Sequence, residues 1–359
     1  MNPKDVIRSL NPYQPGKSIE EVKKKYRLKK IVKLASNENP YGCSPYVESE
    51  WNRSFPKGHL YPDGYARDLR VKLSTHLGVQ EENFIFGSGS DEIVQMLCRT
   101  FLEPGLNTVM AWPTFPQYRH HAKIEGAEIR EVPTRDGCHD LDQMLEEIDQ
   151  HTRIVWLCTP NNPTGRYINE HQLKDFLNRC PHHVLVVIDE AYYEYVTADD
   201  YPESIPLLET HKNIIILRTF SKAYGLAGLR IGYGIADPKI IQYLNAVRGP
   251  FNTTSLSQRA AILALEDQSF VRRSRNENKK NMQLLKQFCA DHQLDYFDSE
   301  GNFLLIFLSK SGLEVSEQLL KHGFIVRPGE LLGIERSIRV TIGSYEDMKE
   351  FQEKMLMCL

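Results

Sequence analysis

From Phe84 onward the apolar positions fall into short runs separated by amphipathic stretches. Phe84-Ile85-Phe86, Thr108-Val109-Met110-Ala111, Ile154-Val155-Trp156-Leu157, Val184-Leu185-Val186-Val187-Ile188, Ile214-Ile215-Ile216-Leu217 and Ile231-Gly232-Tyr233-Gly234-Ile235 each read as a strand. Strands alternating with helical segments predict a mostly parallel sheet covered on both faces, with ligands gathered beyond the carboxyl ends of the strands. After Pro250 the alternation stops. Residues 257–265 and the very polar stretch 267–291 predict long helices. A smaller unit follows, with the strand Phe303-Leu304-Leu305-Ile306-Phe307, a helix over 314–321, Phe324-Ile325-Val326, Ile338-Arg339-Val340-Thr341 and a closing helix from Tyr345. Ahead of the sheet, the first 26 or so residues are polar and punctuated by Pro3, Pro12 and Pro15, which suits a surface arm. Ile31-Val32-Lys33-Leu34 is a short strand, and Asn37-Glu38-Asn39-Pro40-Tyr41-Gly42 after it is a polar turn of the kind that invites a ligand. The expected division is an arm over 1–30, a large unit over 31–255 whose first residues can pack with the smaller one, and a small unit over 256–359.

A chain of 359 residues can bury a substantial core, and 41% hydrophobic with 25% charged residues is ordinary for a soluble globular protein. A net charge of −3 with both signs mixed throughout gives no reason to expect nucleic acid or an anionic membrane as partner. The run Lys23-Lys24-Lys25-Tyr26-Arg27 reads as a solvated helix face. No apolar run approaches the ~20 residues of a membrane span, and residues 1–10 have no signal-peptide core, so a cytoplasmic location is expected. The seven cysteines are scattered without a Cys-x-x-Cys pair and read as reduced packing residues. The doublets His120-His121 and His182-His183 lack zinc-ligand spacing, so no metal is expected.

Lys222 carries the chemistry. It lies in Thr219-Phe220-Ser221-Lys222-Ala223-Tyr224-Gly225-Leu226-Ala227-Gly228-Leu229-Arg230, between two apolar strands and where the loops of the sheet gather. Desolvation there would lower its pKa and leave a nucleophilic amine able to form a Schiff base, although a lone lysine in such a loop is more often a surface residue. Gly87-Ser88-Gly89-Ser90-Asp91-Glu92 follows a strand and opens an apolar helix over 93–102, which makes either an anion cradle or a capping turn with Ser90 or Asp91 as N-cap. It lacks the third glycine of a dinucleotide fingerprint and the Gly-Lys-Ser/Thr of a P-loop. Asp189 ends the most apolar strand, where an unpaired charge is costly and calls for a cationic partner, an arginine or a protonated ring nitrogen. Asn161-Asn162-Pro163-Thr164-Gly165 brings an amide to the same edge, or simply forms a turn.

Taken together, Gly-Ser-Gly-Ser-Asp-Glu, Asn-Asn-Pro-Thr-Gly, Asp-Glu-Ala-Tyr and Ser-Lys with an arginine eight residues beyond the lysine resemble the fold-type I pyridoxal-phosphate (PLP) enzymes, specifically the aminotransferases. Asn11-Pro12-Tyr13-Gln14-Pro15-Gly16-Lys17, Ala35-Ser36-Asn37-Glu38-Asn39-Pro40-Tyr41-Gly42 and Tyr61-Pro62-Asp63-Gly64 are similar to the histidinol-phosphate aminotransferase branch of that family. The resemblance implies an α/β fold with a seven-stranded, mostly parallel sheet and a smaller α+β C-terminal domain. It implies that Lys222 holds PLP as a Schiff base and shuttles the substrate proton, that Asp189 pairs with the ring nitrogen, and that Asn162 and Tyr192 bond the ring's phenolic oxygen. Phe115 would stack on the ring, while Ser90, Asp91, Thr219, Ser221 and Arg230 would hold the phosphate. In a homodimer, Tyr61 would reach the phosphate of the partner's site. Arg327 and Arg339 would bind the anionic end of the substrate, with Tyr13 closing over it. The implied reaction exchanges the amino group between L-histidinol phosphate and 2-oxoglutarate, giving imidazole acetol phosphate and L-glutamate. The alternatives are an aromatic amino acid aminotransferase and a PLP-dependent decarboxylase or lyase.

Overall fold

A computed structural model of the protein describes residues 2–8, 10, 16–53 and 58–359. Its strands, in chain order, are β1 (Val32–Lys33), β2 (Phe84–Gly87), β3 (Asn107–Trp112), β4 (Glu128–Pro133), β5 (Thr152–Cys158), β6 (Leu185–Asp189), β7 (Ile214–Thr219), β8 (Gly232–Ala236), β9 (Phe303–Phe307), β10 (Phe324–Ile325), β11 (Arg327–Pro328) and β12 (Ser337–Thr341). Seven of them form one sheet in the order β2-β8-β7-β6-β5-β3-β4. The ladder from β7 through β4 is parallel, whereas β8 runs antiparallel to both β7 and β2.

The period-two alternation along these strands divides the core. Val109, Val155, Leu157, Val186, Ile188, Ile214 and Ile216 face one hydrophobic cluster, and Met110, Ile154, Trp156, Leu185, Val187, Ile215 and Leu217 face another. Both faces are therefore covered, which is why the central strands carry consecutive apolar residues and not only alternate ones. Strand β4 escapes that pattern. It pairs only with β3, it is mostly half-exposed, and its sequence Glu-Ile-Arg-Glu-Val-Pro is that of a charged edge strand.

In the C-terminal part, β11, β12 and β9 form a three-stranded antiparallel sheet, and β1 pairs in parallel with β10. Val32 and Leu34 thereby join the C-terminal core with Leu304, Ile306, Val340 and Phe351. The helix Ser255–Glu266 packs Ala260, Ala261, Ala264 and Leu265 into the core of the large sheet, so the boundary expected at residue 255 falls at the start of a helix belonging to that core. The 24-residue helix Gln268–Asp291 then runs from one core to the other, with Val271 in the first and Met282, Leu285, Phe288 and Cys289 in the second.

The N-terminal helix Ile19–Tyr26 is capped by Ser18, whose hydroxyl accepts from the Glu21 amide at 3.1 Å, and it buries Val22 against Leu320 and Ile325. Glu317 receives Lys17 Nζ at 2.9 Å, Lys25 Nζ at 3.3 Å and the Tyr26 hydroxyl. One lysine of the basic run is thus anchored to the C-terminal unit instead of being wholly solvated. Among the described residues no helix is long and apolar enough to cross a membrane.

Candidate active site

The strands β5, β6 and β7 are direct neighbours, and Asp189 at the end of β6, with Asn162 and Lys222 in the turns beyond β5 and β7, meet in one cleft of about 480 Å³. That cleft is also lined by Ser90, Asp91, Phe115, Tyr192, Thr219, Ser221 and Arg230 from the sheet side, and by Arg327 and Arg339 from the C-terminal sheet.

Lys222 is partly buried, and its Nζ donates to the Ser36 carbonyl at 3.1 Å and sits 5.7 Å from the centre of the Tyr192 ring. Burial, reinforced by the Arg339 guanidinium and opposed by Asp91 and Glu38, draws its pKa down to about 8. Asp189 is buried, and its Oδ2 accepts from the Tyr118 hydroxyl at 2.5 Å and its Oδ1 from the Ala191 amide at 3.2 Å. Burial pushes its pKa up to about 6 against the pull of those two hydrogen bonds. Of the two partners open to this carboxylate, an arginine or a protonated ring nitrogen, the neighbouring arginine is engaged elsewhere: Arg218, one residue before Thr219, pairs with Glu190, one residue after Asp189, at 2.9 Å. Both are buried, and Ser204 donates to the other Glu190 oxygen at 2.6 Å, so this ion pair braces β6 against β7 just beneath the cleft.

The Tyr192 hydroxyl accepts from Asn37 Nδ2 at 2.9 Å and Asn162 Nδ2 at 3.3 Å, and burial raises its pKa. Arg339 is buried and donates to Asn162 Oδ1 at 2.5 Å and to the Ala35 carbonyl at 2.6 Å. Arg327 is its register partner across β11 and β12, half-buried at the cleft wall. Asn37 joins the two sides, because its amide also accepts from the Thr341 hydroxyl at 3.0 Å. Its polar turn was visible in the sequence, but its partners come from residues far along the chain.

The anion cradle differs in detail from expectation. The N-cap is Gly89, with φ of 81° and no side-chain cap, and Ser90 begins the helix Ser90–Phe101. Ser90 and Asp91 are therefore first-turn residues whose amides open toward the cleft, not capping side chains. A Cβ on Gly89 would meet Arg230 Nη2 at 2.4 Å, and a Cβ on Gly232 would meet the Ser90 backbone nitrogen at 2.6 Å, so both glycines keep this corner clear. Arg230 Nη1 donates to Ser221 Oγ at 3.3 Å, and the Thr219 hydroxyl donates to Ser221 Oγ at 3.0 Å. A helix N-terminus, two hydroxyls and an exposed guanidinium are the donor set a phosphate monoester needs, and an ionisable lysine with a buried carboxylate across the cleft fits an aldehyde-bearing pyridine ring. PLP fits these residues.

Tyr61 does not join them. It is 82% exposed and stacks on Phe251 with ring centroids 4.6 Å apart, outside the cleft of its own chain. Tyr13 lies outside the described residues. Tyr118 was not anticipated; its only sequence signal is its place three residues after Phe115, on the same face of the helix Pro116–Glu125 as the aromatic that enters the cleft.

The profile of the family described as Aminotransferase class I and II matches residues 29–355. The histidinol-phosphate aminotransferase of Geobacillus thermodenitrificans is 57% identical over 346 residues, covering 96% of this chain and 95% of that protein. That of Bacillus subtilis is 54% identical over 98% of both chains. The crystal structure of histidinol-phosphate aminotransferase from Sinorhizobium meliloti in complex with pyridoxal-5'-phosphate superposes with a TM-score of 0.90 at 28% identity, covering 99% of this chain and 98% of that one. With its motifs, sheet order and relatives in agreement over nearly the whole length, the chain belongs to the class I and II aminotransferases.

Proposed function

We propose that this protein is a PLP-dependent aminotransferase of histidine biosynthesis that interconverts L-histidinol phosphate and 2-oxoglutarate with imidazole acetol phosphate and L-glutamate. The observation that carries the reading is the joint presence, in one cleft, of a lysine of lowered pKa, a buried carboxylate and a pair of arginines. Relatives at more than half identity bear the name of that activity.

Bound in the cleft, PLP supplies an aldehyde for the substrate amine and a ring that accepts the electrons released when the substrate carbon loses its proton. The protein does the rest. With a pKa of about 8, roughly a tenth of Lys222 is neutral at pH 7, against about one in 3,000 for an unperturbed lysine, so Nζ can serve as nucleophile and then as proton carrier. Asp189, ionised above about pH 6, presents a negative charge to the ring nitrogen at neutral pH. Asn162 and Tyr192 bond the phenolic oxygen, Phe115 covers the ring face, and Ser90, Asp91, Thr219, Ser221 and Arg230 hold the phosphate. Histidinol phosphate carries a phosphorylated hydroxymethyl group where an amino acid has its carboxylate, so its main charge contact must be that phosphate. Arg327 is assigned to that group, with Tyr13 over it; Arg339 serves whichever anion is present, including the carboxylate of glutamate.

The same reading makes the protein a cytoplasmic homodimer with a large sheet unit and a small C-terminal unit, in which Tyr61 crosses to the partner's phosphate site. Its outward stacking on Phe251 supports that role. The test is a side-by-side assay of histidinol phosphate and phenylalanine with 2-oxoglutarate as acceptor, following glutamate. Preferential turnover of histidinol phosphate is expected; preference for phenylalanine, or release of carbon dioxide without glutamate, rejects the assignment. Sedimentation should give twice the 41.4 kDa of one chain.

A further inference from the structure

Tyr118 ties together two groups that the proposed function uses separately. Its ring is completely buried, stacked on Trp156 with centroids 4.5 Å apart and planes 13° apart, and it meets the edge of Phe115 at 5.4 Å. Trp156 is itself fixed, because its Nε1 donates to the Thr108 hydroxyl at 2.8 Å, which donates on to the Ile154 carbonyl at 2.9 Å. The phenol therefore cannot swing away without breaking a stack anchored in β3 and β5. Its hydroxyl points at Asp189 Oδ2.

Resting on the reading of Asp189 as the partner of the PLP ring nitrogen, we propose that Tyr118 is a positioning residue that fixes the orientation and charge of the Asp189 carboxylate, so that the same phenol sets both the face and the nitrogen edge of the ring site. A hydrogen bond donated to a carboxylate favours its ionised form. Here that bond is the largest influence opposing burial, which otherwise protonates Asp189. The other titratable groups around Asp189 include Cys158 on β5, Asp91 on the helix Ser90–Phe101, Glu190 immediately after β6, Tyr192 in the turn that follows and, across the cleft, Lys222. Lys222 is the one cation among them, and its Nζ donates to the Ser36 carbonyl and not to this carboxylate. The carboxylate thus depends on Tyr118 and the Ala191 amide for the stabilisation an arginine gives elsewhere.

The test uses the full chain in two states. Without cofactor, the Asp189 carboxyl band, identified in the infrared by its loss in Asp189→Asn, is titrated. Tyr118→Phe, which keeps the stack and removes the hydroxyl, should move the midpoint up by about one pH unit, and site-specific 3-fluorotyrosine at position 118, a stronger donor, should move it down. In the holoenzyme, Tyr118→Phe should lower kcat about tenfold with KM changed less than about twofold, the size of one lost charge-assisted hydrogen bond. That loss should vanish with a cofactor analogue carrying carbon in place of the ring nitrogen. Unmoved midpoints overturn the proposal, as does an equal kcat loss with the analogue. Should Tyr118→Phe fail to fold, the fluorotyrosine form decides by the direction of its midpoint. A wild-type chain that binds no PLP sinks the cofactor reading, and the infrared titration still judges Tyr118.

Discussion

At the sheet end of the cleft, Asn162, Asp189 and Lys222 leave three neighbouring strands of one parallel ladder, each strand buried on both faces. At the other end, Arg327 and Arg339 face each other across an antiparallel pair in which β11 is only two residues long and half-exposed. The first group is held by a core that admits few alternatives. The second is set by short elements and by hydrogen bonds to the first group, through Asn162 and Ala35. On the proposed function, the sheet end serves the chemistry common to all substrates and the arginine end the choice among them, and substitutions on each side should behave accordingly.

The largest effect is expected from Lys222→Ala, which removes nucleophile and proton carrier together and should cost at least ~10³-fold in turnover while the phosphate cradle still binds PLP. Borohydride should fix the cofactor to Lys222 in the wild type; its appearance on another lysine would falsify the assignment. Asp189→Asn should lower kcat on the order of 100-fold for every substrate. It should also stabilise the cofactor-free protein. Folding raises the pKa of Asp189 to about 6, so wild-type stability falls as pH rises from about 4 to 6. Thermal unfolding should show the Asn form ahead by up to about 3 kcal/mol at pH 8 and level with wild type near pH 4.

At the other end, Arg339→Ala strips the partners of Asn162 and Ala35 as well as the substrate anion, so KM should rise about 30-fold for histidinol phosphate and phenylalanine alike. Arg327→Ala should raise KM about tenfold for histidinol phosphate and hardly at all for phenylalanine. Equal losses on both substrates would erase the proposed division between the two arginines. The smallest effect belongs to Glu317→Gln, which loosens Lys17 and Lys25 from the C-terminal unit. These are exposed, solvent-screened pairs, and a change in KM beyond about threefold would mean that the arm does more than rest there.

The sheet end was legible because each of its residues sits in a local motif beside an apolar run: Asn162 with its proline and glycine, Asp189 at the close of Val-Val-Ile, and Lys222 before Gly225 and Arg230. The arginine end was legible only as two arginines on predicted strands; that Arg339 would reach Asn162 is a contact across 177 residues and has no local signature. Strand β4 was passed over because an edge strand is relieved of the apolar requirement that marks the interior ones. Tyr118 and the Glu190–Arg218 brace share another reason for being missed. A polar group that folding buries must find a partner, and its place in the sequence does not say which one.

The helix Gln268–Asp291 can be regarded as a lever. Its contacts with the large core centre on Val271 and those with the C-terminal core reach Phe288, about 26 Å further along the axis at 1.5 Å per residue. With the fulcrum at Val271, a tilt of about 5° displaces Phe288, and the sheet packed on it, by about 2 Å, while the strands bearing Asp189 and Lys222 stay in register. That stroke equals the difference between a direct contact to an arginine and one with room for water. A tilt of that kind about one buried valine would therefore change the width of the arginine-lined end of the cleft.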